Sequence, residues 1–77
     1  MALDKDRNRI LSALRDRPEG LDSAALVQTL GLTREVVERH LTYCADYGLA
    51  SWPRKKDGSG LAVITDRGRD YLTRQSV

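Results

Sequence analysis

The segment from Leu21 to Leu49 constrains the fold more than any other, because two short helical patterns meet there at Leu30-Gly31-Leu32-Thr33 and the second stops at Tyr47-Gly48-Leu49. Gly31 suits a sharp turn, Thr33 is a natural helix cap, and Gly48 tolerates the left-handed conformation that commonly follows a helix. The first of the two helices starts at Asp22 or Ser23, either of which can accept from a free backbone amide. It turns Ala25, Leu26, Val27 and Leu30 inward. The second runs from Thr33 to about Tyr47. On its wheel Val37, Leu41 and Cys44 fall together with His40 at their border, and Glu35, Arg39, Thr42 and Asp46 share the opposite face. Helices joined this way present one of the pair to a partner.

The flanking patterns complete one small domain. Upstream, from about Asp4 to Asp16, Ile10, Leu11 and Leu14 recur at helical spacing, and Arg7 falls on the same side, where its aliphatic stem can cover the core edge. Pro18-Glu19-Gly20 ends that helix. Downstream, the period changes to that of two strands, about Leu49 to Arg54 and Leu61 to Thr65, around a turn that contains Asp57-Gly58, a strong hairpin signal. Pro53 cannot donate a ladder hydrogen bond, so its strand lies at an edge or ends there. Thr65 and Asp66 suit the first turn of a last helix that turns Tyr71 and Leu72 inward. The expected architecture is therefore α+β and mostly helical: a three-helix core, a two-stranded hairpin at about 49–65 and a short C-terminal helix. Residues 1–77 form a single domain with its two central helices at about 22–47.

Composition narrows the function. At 77 residues the chain has room for one modest core, and without Phe that core is mainly aliphatic. Charged residues make up 31% with a formal net charge of +2, and the sequence pI is near 9.0, which permits a nucleic-acid partner without marking a DNA packager. Cys44 and His40 are each the only residue of their kind, so neither an internal disulfide nor a zinc site is expected. No cofactor is expected. No nucleophile and base pair, metal cluster or phosphate-cradling glycine motif stands out, which argues against an enzyme. No apolar run approaches the ~20 residues of a membrane span, and Met1-Ala2-Leu3-Asp4-Lys5-Asp6 is too polar for a signal sequence, so a reducing, cytoplasmic setting without membrane attachment is expected.

Leu32-Thr33-Arg34-Glu35-Val36-Val37-Glu38-Arg39-His40-Leu41, followed by Asp46-Tyr47-Gly48-Leu49-Ala50, resembles the recognition-helix segment of winged helix-turn-helix regulators of the MarR and ArsR type. Ile64-Thr65-Asp66-Arg67-Gly68 is similar to the Leu-Thr-x-x-Gly signature that often follows the wing in such domains. The match spans about residues 4 to 75. It implies a winged helix-turn-helix fold and a transcriptional regulator that binds double-stranded DNA, with the third helix in the major groove and the wing on backbone or minor groove. Carried over by position, Thr33, Arg34, Glu35, Glu38, Arg39 and Thr42 would face DNA, and Arg54, Lys55 and Lys56 would form the wing contact. A homodimer or a protein partner stays open. Glu35, Glu38 and Asp46 depart from a strongly DNA-reading face, because carboxylates repel phosphate, although a well-placed Glu can accept from cytosine N4.

Each of these residues has a second reading. Arg34 with Glu38, and Glu35 with Arg39, are i,i+4 pairs that could simply support the helix, each by about 0.2–0.5 kcal/mol. Arg39 is the better candidate for a base contact because it projects from the exposed face. Arg54, Lys55 and Lys56 form either a phosphate contact or an ordinary solvated hairpin tip. Val36, Tyr43 and Tyr47 line one flank of the third helix, where packing on the wing or the first helix is favoured over contact with another chain. Cys44 reads as a small core hydrophobe, with redox sensing the lesser alternative, and Trp52 as strand packing. A winged-helix protein-interaction module or adaptor in a nucleoprotein assembly is the alternative function, favoured by the acidic residues of the third helix.

Overall fold

The computed structural model describes residues 2–53 and 60–75. The turn expected around Asp57-Gly58 and the basic residues Arg54, Lys55 and Lys56 lie outside the described residues. The described residues form four helices, α1 (Ala2–Asp16), α2 (Ser23–Leu30), α3 (Arg34–Asp46) and α4 (Asp66–Gln75), and two short strands, β1 (Ala50–Ser51) and β2 (Val63–Ile64), in the order α1-α2-α3-β1-β2-α4. The expected mostly helical α+β architecture is present.

Local chemistry sets the element ends. The Asp22 carboxylate accepts from the Ala25 amide at 2.8 Å, so Asp22 rather than Ser23 caps α2, and Ser23 is buried instead. Gly31 ends α2 at φ +69° and donates its amide to the Val27 carbonyl, a left-handed cap. Two residues later the Thr33 hydroxyl accepts from the Val36 amide at 3.2 Å and starts α3. Thr65 Oγ1 plays the same part for α4 by accepting from the Gly68 amide at 3.1 Å.

One aliphatic core joins these elements. Ile10, Leu11 and Leu14 of α1 are fully buried against Leu26 of α2 and Val37, Leu41 and Cys44 of α3, with Leu49, Ala62, Ile64 and Leu72 closing the far side. Burying a Leu, Ile or Val side chain contributes about 1.5–3 kcal/mol, so this cluster dominates the stability of so small a chain. His40, placed by periodicity at the edge of the inward face, is only 2% exposed. Trp52 is half-buried and packs on the core as expected, just beyond β1.

Three features differ from the sequence reading. The strands are shorter than Leu49–Arg54 and Leu61–Thr65: the ladder pairs only Ala50 with Ile64 and Ser51 with Val63. The Leu49 amide is drawn back to the Cys44 carbonyl at 2.7 Å, Pro53 has no amide to offer, and Thr65 turns to capping α4. Unanticipated is an isolated antiparallel bridge between Leu21 and Ala62, closed by two backbone hydrogen bonds of 3.0 and 2.8 Å. It adds a third rung of extended chain beside β2. Finally, Tyr47 is 59% exposed rather than packed, while Tyr43 on the same flank is half-buried.

The start of α4 grips the chain leaving α3. Thr65 Oγ1 donates to the Gly48 carbonyl at 2.6 Å, and a Cβ at Gly68 would overlap the Leu49 carbonyl oxygen and press within 2.8 Å of Ile64 Cγ1. At Gly31 nothing lies within 4 Å of an added Cβ, so only the positive φ resists substitution there. Gly68→Ala should therefore destabilise the protein by at least about 2 kcal/mol, through overpacking against backbone, and Gly31→Ala by about 1 kcal/mol through left-handed strain alone. Paired thermal melts check this order; each kcal/mol lowers Tm by roughly 4–8 °C at this size.

Candidate nucleic-acid interface

Helix α3 is held at both ends. At its start, the Arg9 guanidinium of α1 donates to the Leu30 carbonyl at 2.8 Å, completing the C-terminus of α2 and tying α1 to the turn that sets the angle of α3. At its end, Arg67 of α4 donates to the Tyr47 carbonyl at 3.4 Å, next to the Thr65 bond to Gly48. Between these anchors Val37, Leu41, Cys44 and His40 are buried, which leaves the opposite side of α3 bare.

That bare side carries the residues expected to face DNA. Thr33, Arg34, Glu35 and Arg39 are exposed, and Glu38 and Thr42 are half-buried. Arg39 projects outward with its side chain 68% exposed and donates to Glu35 Oε1 at 3.2 Å. Arg34 Nε donates to Glu38 Oε2 at 2.9 Å. Thr42 donates its hydroxyl to the Glu38 carbonyl at 2.8 Å, and Thr33 uses its oxygen as the helix cap. The α3 residues thus form one connected exposed strip. Arg54, Lys55 and Lys56 lie outside the described residues.

Electrostatically the strip is mixed. Two arginines face three carboxylates, Glu35, Glu38 and Asp46, and both arginines already have a carboxylate partner on the same helix. Exposed pairs of this kind contribute only about 0–1 kcal/mol, so either guanidinium can exchange its carboxylate for another acceptor at small cost. The free-standing chemistry of the strip is donation from Arg39 and Arg34, acceptance by Glu35, and hydroxyl contacts from the two threonines.

Sequence reasoning missed Arg9 and Arg67 as the side chains that clamp the ends of α3. Arg9 also approaches Asp6 of its own helix at 3.8 Å. Its bond to Leu30 spans 21 positions, and no local pattern signals it. Among the described residues no group of three His, Cys, Asp or Glu is placed to hold a metal ion, and no helix is long and apolar enough to cross a membrane. Neither protein-family models nor curated protein sequences match this chain.

Cys44 lies under the strip rather than in it. It is fully buried, and burial pushes its thiol up from 9.0 to about 11, with Arg7 pulling weakly the other way. A thiol held neutral is a poor nucleophile and a poor redox sensor. The neutral thiol is favoured in the folded state, so its contribution is complete below pH 9 and is lost as pH rises toward 11, where the unfolded chain ionises first. Urea midpoints should fall across that window by more in the native sequence than in Cys44→Ala, whose loss of one ionisable group flattens the profile.

Proposed function

We propose that the chain is a winged helix-turn-helix module that binds double-stranded DNA as a transcriptional regulator. The observation that carries this reading is α3, a helix of 13 residues whose inward face is buried and whose outward residues Arg34, Glu35 and Arg39, with Thr42 at their half-buried edge, are left exposed among the described residues. A single α-helix fits the major groove, and there an arginine can donate bidentately to guanine while a glutamate accepts from cytosine N4. The antiparallel pairing of β1 with β2, with Leu21 bridged to Ala62, sets a hairpin base directly after α3, where residues 54–56 would supply cations for the flanking backbone. In this mechanism the wing residues give most of the salt-dependent affinity, and Arg39, released from Glu35, gives base preference.

A second reading rests on the same strip. With its arginines paired and its carboxylates in excess, α3 also suits a protein partner with a basic surface, as in an adaptor within a nucleoprotein assembly.

Duplex binding over a salt series, followed by selection of bound sequences, separates the two. The expected result is an enriched motif with affinity that falls as salt rises. Replacing Arg54, Lys55 and Lys56 together by Ala should make the log–log slope shallower by up to about 2.7, or about 0.9 for each lost phosphate contact. Arg39→Ala should relax preference at one base pair and weaken the selected site by roughly 1–3 kcal/mol. Absence of duplex binding at low salt, together with a stoichiometric complex with one protein that persists after nuclease treatment, would move the assignment to the interaction module.

A further inference from the structure

A polar groove lies off the outward strip of α3. Tyr43 and Tyr47, one turn apart on the flank of α3, face Arg67, Asp70, Tyr71 and Arg74 of α4 across a groove of about 480 Å³. The α4 residues sit at i, i+3, i+4 and i+7, so they form one continuous face of that helix. Grooves of roughly 300–1,000 Å³ hold small organic ligands, the size class of a nucleotide.

Two of its tyrosines, Tyr43 and Tyr47, are in ring contact, with Tyr47 at the solvent-exposed end. The Arg7 guanidinium carbon lies 3.6 Å from the Tyr43 ring centroid, and Tyr43 lies 4.3 Å from Tyr47 with ring planes inclined by 31°. Tyr47 at the end of this series is 59% exposed, although a ring of its size would gain from burial. The backbone beneath it is tied to α4, because its carbonyl accepts from Arg67 and that of its neighbour Gly48 accepts from Thr65. Arg74, whose side chain is 79% exposed, reaches Asp70 at 3.2 Å across a solvent-facing pair that an anion can displace cheaply.

The chemistry of the lining selects the occupant. The aliphatic residue in the groove, Leu49, is buried, so there is no greasy pocket for the anchor of a partner helix. What the groove offers is an exposed π face beside two guanidiniums against one carboxylate. A nucleobase joined to a phosphate matches both parts: every base has a face to stack, and the phosphate complements the arginines.

We propose that the α3–α4 groove is a binding site for an unpaired nucleotide of single-stranded DNA, with the base stacked on Tyr47 and the phosphate held by Arg74 and Arg67. This goes beyond duplex reading and does not rest on it, since none of these residues belongs to the Arg34, Glu35, Arg39 and Thr42 strip. A protein that holds both sites can engage a duplex next to a melted or frayed segment.

The test is fluorescence anisotropy of a labelled ten-nucleotide oligothymidylate at low salt, with an abasic strand of equal length as the backbone control. Tyr47→Ala should weaken oligothymidylate binding roughly five- to hundredfold, the range expected for one lost base–aromatic stack. Tyr47→Phe should retain it. Arg74→Ala should weaken it and make the salt dependence shallower. Arg39→Ala, off the groove, should weaken it much less than Arg74→Ala does, which separates this site from duplex reading. The abasic strand should bind the wild-type protein no better than oligothymidylate binds Tyr47→Ala, and Tyr47 ring protons should move upfield on titration of the wild type. The proposal is overturned if the wild type does not bind oligothymidylate, if Tyr47→Ala and Arg74→Ala bind it as well as wild type does, or if the abasic strand binds equally. A concentration-dependent dimer abolished by Tyr47→Ala, with oligothymidylate affinity unchanged, would assign the groove to a second copy of the chain and overturn it as well.

Discussion

Burial of Val37, Leu41 and Cys44 against the aliphatic stripe of α1 is the constraint on which the rest of the structure depends. A chain this small has one core, and α3 contributes one side of it. Because that side is sequestered, the helix cannot rotate about its axis without exposing leucine and valine, and its outer residues are therefore held in fixed directions. The position of Arg39 in space is a consequence of methyl groups packed on the other side of the same helix.

The clamps at the two ends of α3 extend this control from rotation to tilt. Arg9 acts through the Leu30 carbonyl just before the turn, and Arg67 and Thr65 act through the carbonyls of Tyr47 and Gly48 just after the last turn. Both devices use backbone carbonyls that a helix end leaves without an intrahelical donor. Helix ends that would otherwise need water are instead tied to other helices, the end of α2 to α1 and the end of α3 to α4.

Legibility in the sequence followed range. Asp22, Gly31, Thr33 and Thr65 act within three or four residues of themselves, and each was readable as a cap or turn from local chemistry. The inward face of α3 was readable because helical period survives in any context. Two i,i+4 ion pairs were readable for the same reason, and the structure forms both. The bridge of Leu21 to Ala62 and the reach of Arg9 to Leu30 join distant positions, and neither leaves a local trace. Tyr47 shows the limit most sharply. Period placed it beside Tyr43 on a flank, but whether a flank is covered depends on how α4 approaches, and that is set by contacts between distant positions, Gly68 on Leu49 and Thr65 and Arg67 on the carbonyls of Gly48 and Tyr47.

The bridge between Leu21 and Ala62 also bears on how the molecule is made. Residue 21 leaves the ribosome long before residue 62, and α1 packs on both β2 and α4. At about 5–20 residues per second, the first helix waits some seconds for the partners that bury it. During that interval Ile10, Leu11 and Leu14 have only α2 and α3 as cover. The α1 side of the core is therefore open until β2 and α4 emerge, and burial of its stripe is completed by residues from both ends of the fold rather than by its sequence neighbours alone.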